Sequence, residues 1–392
     1  MEVKNTSSST SNSRVTLFLA LVLSFAVNFD SSVVIPIIAN YAVSLGATYF
    51  FAGIVVGVYS IVHIPSNVIF GRLVDRFGRR LPLIIGLCID GLSLFLYSLA
   101  YDPTTLLLAR MIHGIGGGFG GPATMSYLAD VTPKERSGRG MAFYGISIAF
   151  SMLFGFMIGG IASYVVGPSR LFVGVSLFLF VMAIFAILLP QRYTPIEQKL
   201  PLRDEIRIFK ETVLRKIMIV PYSSIFALNF NLAIITTTYA IALKTAGYTD
   251  ATIGMLFGVM VIFSILTHYP AGLLGDKIGK ERILVVGLGI IAISFMIIIY
   301  SLTLTYTLIA MVILGFGHGM IFPTAAGLIK DLTREANRGI ATGVFYGLVV
   351  AGFAVGAPVI GWIAQLAGLS MSLFAGILVS LFVSVIILIC KK

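Results

Sequence analysis

Twelve apolar stretches of about 20 residues each, the length that crosses about 30 Å of hydrocarbon, occupy most of the 392-residue chain and constrain its fold more than any other feature. Hydrophobic residues make up 58% of the sequence and charged residues 11%, whereas soluble domains average about 45–50% and 25%. The stretches cover residues 15–39, 49–70, 81–100, 104–128, 141–166, 171–189, 217–243, 251–269, 283–300, 306–328, 340–364 and 371–390. We therefore predict an all-α membrane protein with 12 transmembrane helices.

The positive charges lie mainly on one side of the predicted spans. Of 27 lysines and arginines, Arg110 lies within a span and Arg170 and Lys244 lie in loops on one side, which leaves 24 on the side that holds both termini. Because basic loops stay in the cytoplasm, we expect a multi-pass protein of the plasma membrane with both termini cytoplasmic. The net charge of +11 resides in short loops between spans, so we expect no nucleic-acid partner.

A short charged loop occurs twice in the chain. Gly272 and Asp276 follow Gly71 and Asp75 by 201 residues. The same offset relates further pairs along the chain, among them Asn28 and Asn229, Gly86 and Gly287, and Pro122 and Pro323. Six crossings return a chain to its starting side, so we predict two parallel six-helix bundles related by a pseudo-two-fold axis along the membrane normal.

This duplication divides the chain into four segments. Residues 1–14 are rich in Ser, Thr and Asn and should form a disordered tail. Residues 15–189 are predicted to form the N-terminal bundle and residues 217–390 the C-terminal bundle. Between them, residues 190–216 form a cytoplasmic linker, in which apolar residues between Asp204 and Lys216 recur at helical spacing and predict an amphipathic helix.

Three ionisable residues, Asp30, Asp90 and Arg110, lie within apolar spans, where each costs about 2.5–3.5 kcal/mol near the membrane centre and should face the protein interior. At about 1.5 Å per residue, Asp30 and Arg110 lie at nearly equal depth, and Asp90 lies near the level of His113. One interpretation is a structural ion pair. The other is a proton and substrate site, because a buried carboxyl can load and release a proton.

Two motifs resemble those of the major facilitator superfamily, and the resemblance covers residues 15–390. The first is the loop Gly71-x-x-x-Asp75-Arg76-x-Gly78-Arg79. The second is Arg110-x-x-His113-Gly114-x-Gly116, with histidine in place of the usual glutamine. Asp30, in the first span, also resembles the acidic motif of 12-helix drug:proton antiporters, and in proton-coupled members the arginine corresponding to Arg110 is implicated in proton handling.

The resemblance implies that the duplicated loop is a cytoplasmic gate, in which Asp75 faces the N-terminal end of span eleven and Asp276 mirrors it near span five. Its residues are Gly71, Asp75, Arg76, Gly78 and Arg79, with Asp276, Lys277, Gly279 and Lys280 in the second copy. Antiporters of the family carry Gly-Pro-x-x-Gly-Gly in span five. Here Gly155, Gly159 and Gly160 lack the proline, and span eleven has Gly356 and Gly361 around Pro358. The motif therefore leaves the direction of transport open.

Together these features predict a secondary transporter that works by alternating access, driven by protons and exporting lipophilic or cationic compounds. The alternative is a proton-coupled symporter or facilitator of a sugar, organic acid or other metabolite. We expect substrate to bind midway across the membrane between the two halves. The candidate residues for proton coupling and the substrate cavity are Asp30, Asp90, Arg110, His113, Asn28, Asn229, Asn231, Phe29, Tyr59, Tyr144, Phe230, Tyr239 and Tyr346.

Other classes of protein are less consistent with the sequence. A membrane enzyme would need a nucleotide loop, a metal-ligand spacing or a nucleophile pair, and the sequence contains none, so we expect neither enzymatic activity nor a cofactor. The spacing of the four histidines indicates no metal site. A channel or sensor is the remaining rival. The expected partners are a small-molecule substrate, protons and the lipid bilayer, and we expect a monomer.

Overall fold

The computed structural model describes residues 6–132, 137–191, 202–334 and 337–390. Within these ranges, the side chains of residues 6–14, 72, 75, 76, 137–142 and 202–206 lie outside the description. The described residues form helices joined by short connections and contain no β-strand.

Seven described helices precede the linker. They are α1 (Thr6–Val34), α2 (Ile38–Ser44), α3 (Tyr49–Phe77), α4 (Arg80–Ser98), α5 (Pro103–Val131), α6 (Ser137–Val166) and α7 (Pro168–Ile187). The first span is interrupted between α1 and α2 around Pro36, because proline removes a backbone donor and clashes with the preceding turn. Asp102 caps α5 by accepting a hydrogen bond from the Thr105 amide at 2.7 Å.

Eight described helices follow. They are α8 (Leu202–Val213), α9 (Ile219–Ile234), α10 (Ala240–Thr245), α11 (Asp250–Ile278), α12 (Lys280–Tyr300), α13 (Leu304–Leu332), α14 (Arg338–Ala367) and α15 (Leu369–Cys390). A π-helical turn, Ile235–Tyr239, joins α9 to α10, so that the seventh span runs on as one helical segment with a locally widened turn.

Eleven of the described helical segments are long and apolar enough to cross a membrane. They correspond to eleven of the predicted spans, and α5 corresponds to the remaining one. α5 has 29 residues, the same length as α3, but Arg110, His113 and its many glycines lower its mean hydropathy. The predicted all-helical membrane architecture is confirmed.

The first helix begins earlier than the sequence indicated. α1 starts at Thr6 rather than at residue 15, which corrects the predicted disordered tail for residues 6–14, while residues 1–5 lie outside the description. Once apolar residues have nucleated a helix, each further residue adds one backbone hydrogen bond at small cost. The polar stretch can therefore continue the helix.

The chain packs into two compact units. The first unit comprises residues 1–34 and 62–197, and the second comprises residues 35–61 and 198–392. The predicted division at the linker is therefore corrected for one segment. Residues 35–61, which include α2 and the first part of α3, pack with the second unit.

Two glycines of α3 explain this packing. A Cβ atom on Gly53 would overlap the carbonyl oxygen of Ala357, and one on Gly57 would lie 2.7 Å from Cδ of Pro358. α3 and α14 therefore cross with their backbones in direct contact, which small residues permit. The Asn40 side chain adds a hydrogen bond to the backbone carbonyl of Ala240 at 3.2 Å.

Close glycine contacts also join α6 to α1 in the first unit. A Cβ atom on Gly155 would overlap Cβ of Ser32, and one on Gly159 would overlap the carbonyl oxygen of Val33. Gly160, next in the chain, is buried as well. These motif glycines bring the two helices together.

The corresponding contacts in the second unit involve α14. A Cβ atom on Gly356 would lie 3.0 Å from Cβ of Ala233 in α9, and one on Gly361 would lie 3.1 Å from Cα of Gly53. α14 is thus packed closely against α9 through one glycine and against α3 through the other.

The linker contains the predicted helix. α8 (Leu202–Val213) packs against α14 within the second unit, and a short 3₁₀ turn, Lys216–Met218, leads into α9. Residues 192–201, the other part of the predicted linker, lie outside the described residues.

Candidate functional site

Helices α1, α4 and α5 of the first unit bring five side chains into one buried group, which we call the polar cluster: Asp30, Asp90, Tyr97, Arg110 and His113. Each of these residues is at most 3% exposed. Arg110 and His113 lie three residues apart in α5, and Asp90 and Tyr97 lie seven residues apart in α4, so each pair shares one face of its helix. The cluster therefore unites all three ionisable residues that the sequence placed within spans.

Hydrogen bonds run through the cluster in one direction. Arg110 can only donate, and its Nη1 donates to the Tyr97 hydroxyl at 3.2 Å. That hydroxyl lies 2.8 Å from Nδ1 of His113, and Nη1 of Arg110 lies 3.3 Å from the same nitrogen. Because both neighbours donate to it, Nδ1 is the acceptor, and the hydrogen of the neutral imidazole lies on Nε2.

The chain of hydrogen bonds ends at Asp30. Nε2 of His113 lies 3.1 Å from Oδ2 of Asp30, so the imidazole donates to the carboxylate. His113 thereby connects the guanidinium of Arg110 to the carboxylate of Asp30, and the two opposite charges compensate each other inside the bundle. A connected network of this kind restricts the movement of its members.

Asp90 stands apart from this chain. Its Oδ1 lies 3.9 Å from Nε2 of His113, beyond hydrogen-bond distance. Neither carboxyl oxygen of Asp90 has a hydrogen-bond partner among the described residues. Gly116 of α5 provides the space, because a Cβ atom there would lie 2.8 Å from Cγ of Asp90 and overlap Oδ1.

The polar cluster is also close to His63 of α3, which interacts electrostatically with His113 and Asp30. One side-chain nitrogen or oxygen atom from each of Asp30, Asp90 and His113 could bind a metal ion, and these three atoms lie within 4.8 Å of one another. The guanidinium of Arg110 lies beside them, however, and its positive charge opposes a second cation in a low-dielectric interior. A proton therefore suits the group better than a metal ion.

The second unit has a neutral counterpart of this cluster. Asn231, at the position matching Asp30, donates a hydrogen bond to Oγ of Ser380 at 2.9 Å. The positions matching Arg110 and His113 are Met311 and Leu314. The second half therefore has no charged residue at the three positions that match Asp30, Arg110 and His113.

The predicted asparagines Asn28 and Asn229 have the same local contact in the two halves. Nδ2 of Asn28 donates to the Ser24 carbonyl at 2.8 Å, and Nδ2 of Asn229 donates to the Ile225 carbonyl at 2.9 Å. Each amide thus bonds to the preceding turn of its own helix.

The six predicted cavity aromatics differ in their surroundings. In the first unit, Phe29 stacks on Phe25 with ring centroids 5.1 Å apart, and Tyr144 is half-buried. The others belong to the second unit: Phe230 and Tyr239 are buried, Tyr59 is half-buried and Tyr346 is exposed.

Other aromatic residues line an open groove of about 390 Å³ between α1 and α6 in the first unit. We call this groove the aromatic pocket, and its side chains on α6, Phe143, Ile146, Phe150 and Phe154, are exposed. It is lined by Leu21, Val22, Phe25, Phe143, Ile146, Ser147, Phe150 and Phe154. Phe150 and Phe154 stack with ring centroids 5.8 Å apart, and the almost wholly apolar lining suits a lipophilic ligand.

The duplicated loops carry a duplicated ion pair. Nε of Arg79 lies 3.1 Å from Oδ2 of Asp130, at the end of α5. Nζ of Lys280 lies 2.5 Å from Oδ2 of Asp331, at the end of α13, and 3.0 Å from Oδ1 of Asp276. Lys280 and Asp331 follow Arg79 and Asp130 by 201 residues, so the same contact ties the loop to the adjoining helix in each unit.

Two of the loop glycines, Gly78 and Gly279, adopt a backbone conformation that favours glycine. Gly78 and Gly279 adopt φ angles of 81° and 99°, which side-chain-bearing residues rarely adopt. A Cβ atom on Gly71 would meet open space. Asp276 and Lys277 are exposed, and the side chains of the remaining predicted gate residues, Asp75 and Arg76, lie outside the description.

Sequence reasoning missed several of these residues, although some signals were present. Tyr97 follows Asp90 by two helical turns, so it was certain to share a face with an intramembrane acid. Asp130 and Asp331 are separated by the same offset as the two loops. The aromatic pocket had no comparable signal, because phenylalanines are abundant throughout the spans.

Comparison with known proteins identifies the family. A profile of the Major Facilitator Superfamily matches residues 20–241 and again residues 222–391. A multi-drug resistance efflux pump, PmrA of Streptococcus pneumoniae, is 26% identical over 332 residues, which cover 80% of each chain. The multidrug resistance protein MdtG of Escherichia coli is 26% identical over 324 residues, covering 80% of this chain and 79% of that protein.

Solved structures agree on the fold. A bacterial homologue of the human lysosomal transporter Spinster superposes with a TM-score of 0.82 at 13% identity, covering 96% of each chain. The nucleoside transporter NupG superposes with a TM-score of 0.79 at 12% identity, covering 96% of this chain and all of that one. The chain therefore belongs to the major facilitator superfamily, and it is a multi-pass membrane transporter of small molecules rather than an enzyme.

Proposed function

We propose that this transporter exports lipophilic compounds, including lipophilic cations, in exchange for protons across the plasma membrane, with both termini in the cytoplasm. The polar cluster of the first unit is the observation that carries the proposal. It holds two carboxyls against one guanidinium, all at most 3% exposed. Intramembrane ionisable groups are costly, and they characterise proton relays in transporters.

The aromatic pocket supports the substrate class. The volume of this open groove, about 390 Å³, falls within the usual range for small-molecule sites, roughly 300–1,000 Å³. Phenylalanine rings offer apolar contact, and their faces also attract cations. PmrA is named a multi-drug resistance efflux pump, which supports the export of drugs.

Transport in inverted membrane vesicles tests the proposal. The chain is expressed in a host that lacks its own efflux pumps, and an acid-inside gradient is imposed. Accumulation of ethidium inside the vesicles, abolished when a protonophore collapses the gradient, is the expected result. Empty-vector vesicles and vesicles with the Arg110→Gln variant are the controls.

The direction of the gradient separates an exporter from a proton symporter. An exporter moves the dye against proton flow, whereas a symporter moves its substrate with proton flow. Dye movement that follows the proton gradient, or that ignores the gradient in the intact protein, would contradict proton-driven export.

A further inference from the structure

We infer that Asp90, rather than Asp30, is the carboxyl that binds and releases the coupling proton, and that Asp30 remains ionised as the fixed counter-charge of Arg110. This inference rests on the proposed proton coupling and assigns it to one group. It differs from the expectation raised by the acidic motif of the first span, which favours Asp30.

The contacts of Asp30 are those of an ionised carboxylate. It accepts the Nε2 hydrogen of His113 at 3.1 Å, and His113 in turn accepts from the Tyr97 hydroxyl and the guanidinium of Arg110. Every hydrogen along this chain points towards Asp30. A proton on Oδ2 of Asp30 would compete with the one on Nε2 and leave Arg110 without its counter-charge.

Asp90 has the contacts of a neutral acid. It is 1% exposed, and neither of its oxygens has a hydrogen-bond partner among the described residues. An unpaired ionised carboxylate in such a place costs far more free energy than a neutral carboxyl, whose unmade hydrogen bonds cost about 1–3 kcal/mol each. The arrangement therefore places a proton on Asp90.

The groups around Asp90 favour this assignment. Asp30 of α1 repels a second negative charge on Asp90. Arg110 of α5 already has Asp30 as its counter-charge, to which it is linked by the hydrogen bonds of Tyr97 and His113. His63 of α3 interacts with His113 and Asp30. From α7, the Ser176 hydroxyl donates to the carbonyl of Gly91, the residue next to Asp90, at 2.7 Å, and a hydroxyl does not titrate in this range.

The transport step is then a simple loss of a proton. The O–H bond of the Asp90 carboxyl breaks, its electron pair stays on the oxygen, and the proton passes to water on the side to which the transporter is open. The first unit then has one uncompensated negative charge. This charge favours contact of the Asp90 carboxylate with water until a proton returns from the opposite side.

Infrared spectroscopy of the full-length protein in lipid nanodiscs at neutral pH tests the inference without any transported substrate. The C=O stretching band of a protonated carboxyl should be present in the wild type and in Asp30→Glu, which keeps the counter-charge of Arg110, and absent in Asp90→Asn. Thermal unfolding of each variant verifies that it is folded. Because ethidium transport is not measured, a failure of the export proposal leaves this result unaffected.

A second pair of variants leaves both acids in place. Gly116→Ala would press a methyl group against Oδ1 of Asp90, whereas the same change at Gly121 of α5 meets open space. We expect the band to shift in Gly116→Ala and to stay unchanged in Gly121→Ala. The band should also stay unchanged when sodium is replaced by choline.

Three outcomes would overturn the inference. The band could survive in Asp90→Asn, which would assign the proton to Asp30. It could be absent from the wild type, which would mean that both acids are ionised. It could appear only after sodium is removed, which would assign the site to a metal cation.

Discussion

At the residue scale, His113 determines how the buried charges are connected. Its ring is in contact with Arg110 on one side and Asp30 on the other. A side chain in this place must accept a hydrogen bond at one end and donate one at the other. Glutamine, the usual residue of the family motif, has the same pair of functions in its amide.

This requirement gives a prediction with a matched pair of variants. His113→Gln should keep the network and lower the unfolding temperature only slightly. His113→Leu, which copies Leu314 of the second half, should lower it strongly, because each buried polar group left unsatisfied costs about 1–3 kcal/mol. Thermal unfolding of the purified protein measures both. Equal unfolding temperatures for the two variants would contradict the assigned hydrogen bonds.

At the element scale, the helices owe their close contacts to individual glycines. On α6, Gly159 lies against the backbone of Val33, whereas a Cβ atom on Gly145 would meet open space. The same substitution at these two positions should therefore have opposite effects on stability.

We expect Gly159→Ala to destabilise the protein by about 1–3 kcal/mol, because the backbone of α1 cannot easily move away from the added methyl group. Gly145→Ala should be neutral or stabilising by up to about 1 kcal/mol, since alanine is the better helix former. Chemical or thermal unfolding of the two variants in detergent tests this. A loss of stability in both, or in neither, would argue against the α1–α6 crossing.

The two ion pairs at the loops allow a comparison between the units. The side chains of Arg79 and Asp130 are 5% and 26% exposed, whereas those of Lys280 and Asp331 are 18% and 52% exposed. Lys280 also keeps a second partner, Asp276, when Asp331 is lost. Breaking a buried pair costs more than breaking an exposed one.

Asp130→Asn should therefore lower the unfolding temperature more than Asp331→Asn does. The two substitutions are identical in chemistry and occupy matching positions in the duplicated chain, so each serves as the control for the other. An equal or reversed order would mean that burial of Arg79 does not determine the strength of the pair.

At the scale of the whole molecule, the sequence was sufficient for the architecture. Twelve apolar stretches and the repeated loop predicted a duplicated helical membrane protein, because span length and loop charge are local properties of the chain. The sequence could not show that residues 35–61 pack with the second unit. That packing depends on Gly53 meeting Ala357, a contact between residues far apart in the chain.

The candidate site was predicted only in part, because some of its features are local in the chain and others depend on how the helices pack. The cost of burying charge singled out Asp30, Asp90 and Arg110 without any knowledge of their neighbours. The role of Tyr97 depends on how α4 is rotated about its axis. The aromatic pocket depends on where α1 and α6 separate, and neither property is encoded in a short motif.

The predicted gate is tested in the whole transporter. Asp75→Asn should leave the amount of protein in the membrane unchanged and slow transport about two- to fivefold, because a carboxylate at a helix N-terminus contributes about 0.3–1 kcal/mol. Dye transport in proteoliposomes, normalised to protein content, measures the effect. Wild-type rates in Asp75→Asn would remove the gate from the mechanism.

The neutral counterpart of the polar cluster also has an electrical consequence. A membrane voltage acts on charges that lie within the bilayer, by about 2.3 kcal/mol per elementary charge per 100 mV. The second half has Asn231, Met311 and Leu314 where the first has Asp30, Arg110 and His113. Proton release as proposed would leave a net negative charge within the first unit, on which the voltage acts, whereas the second half has no charge at the three matching positions.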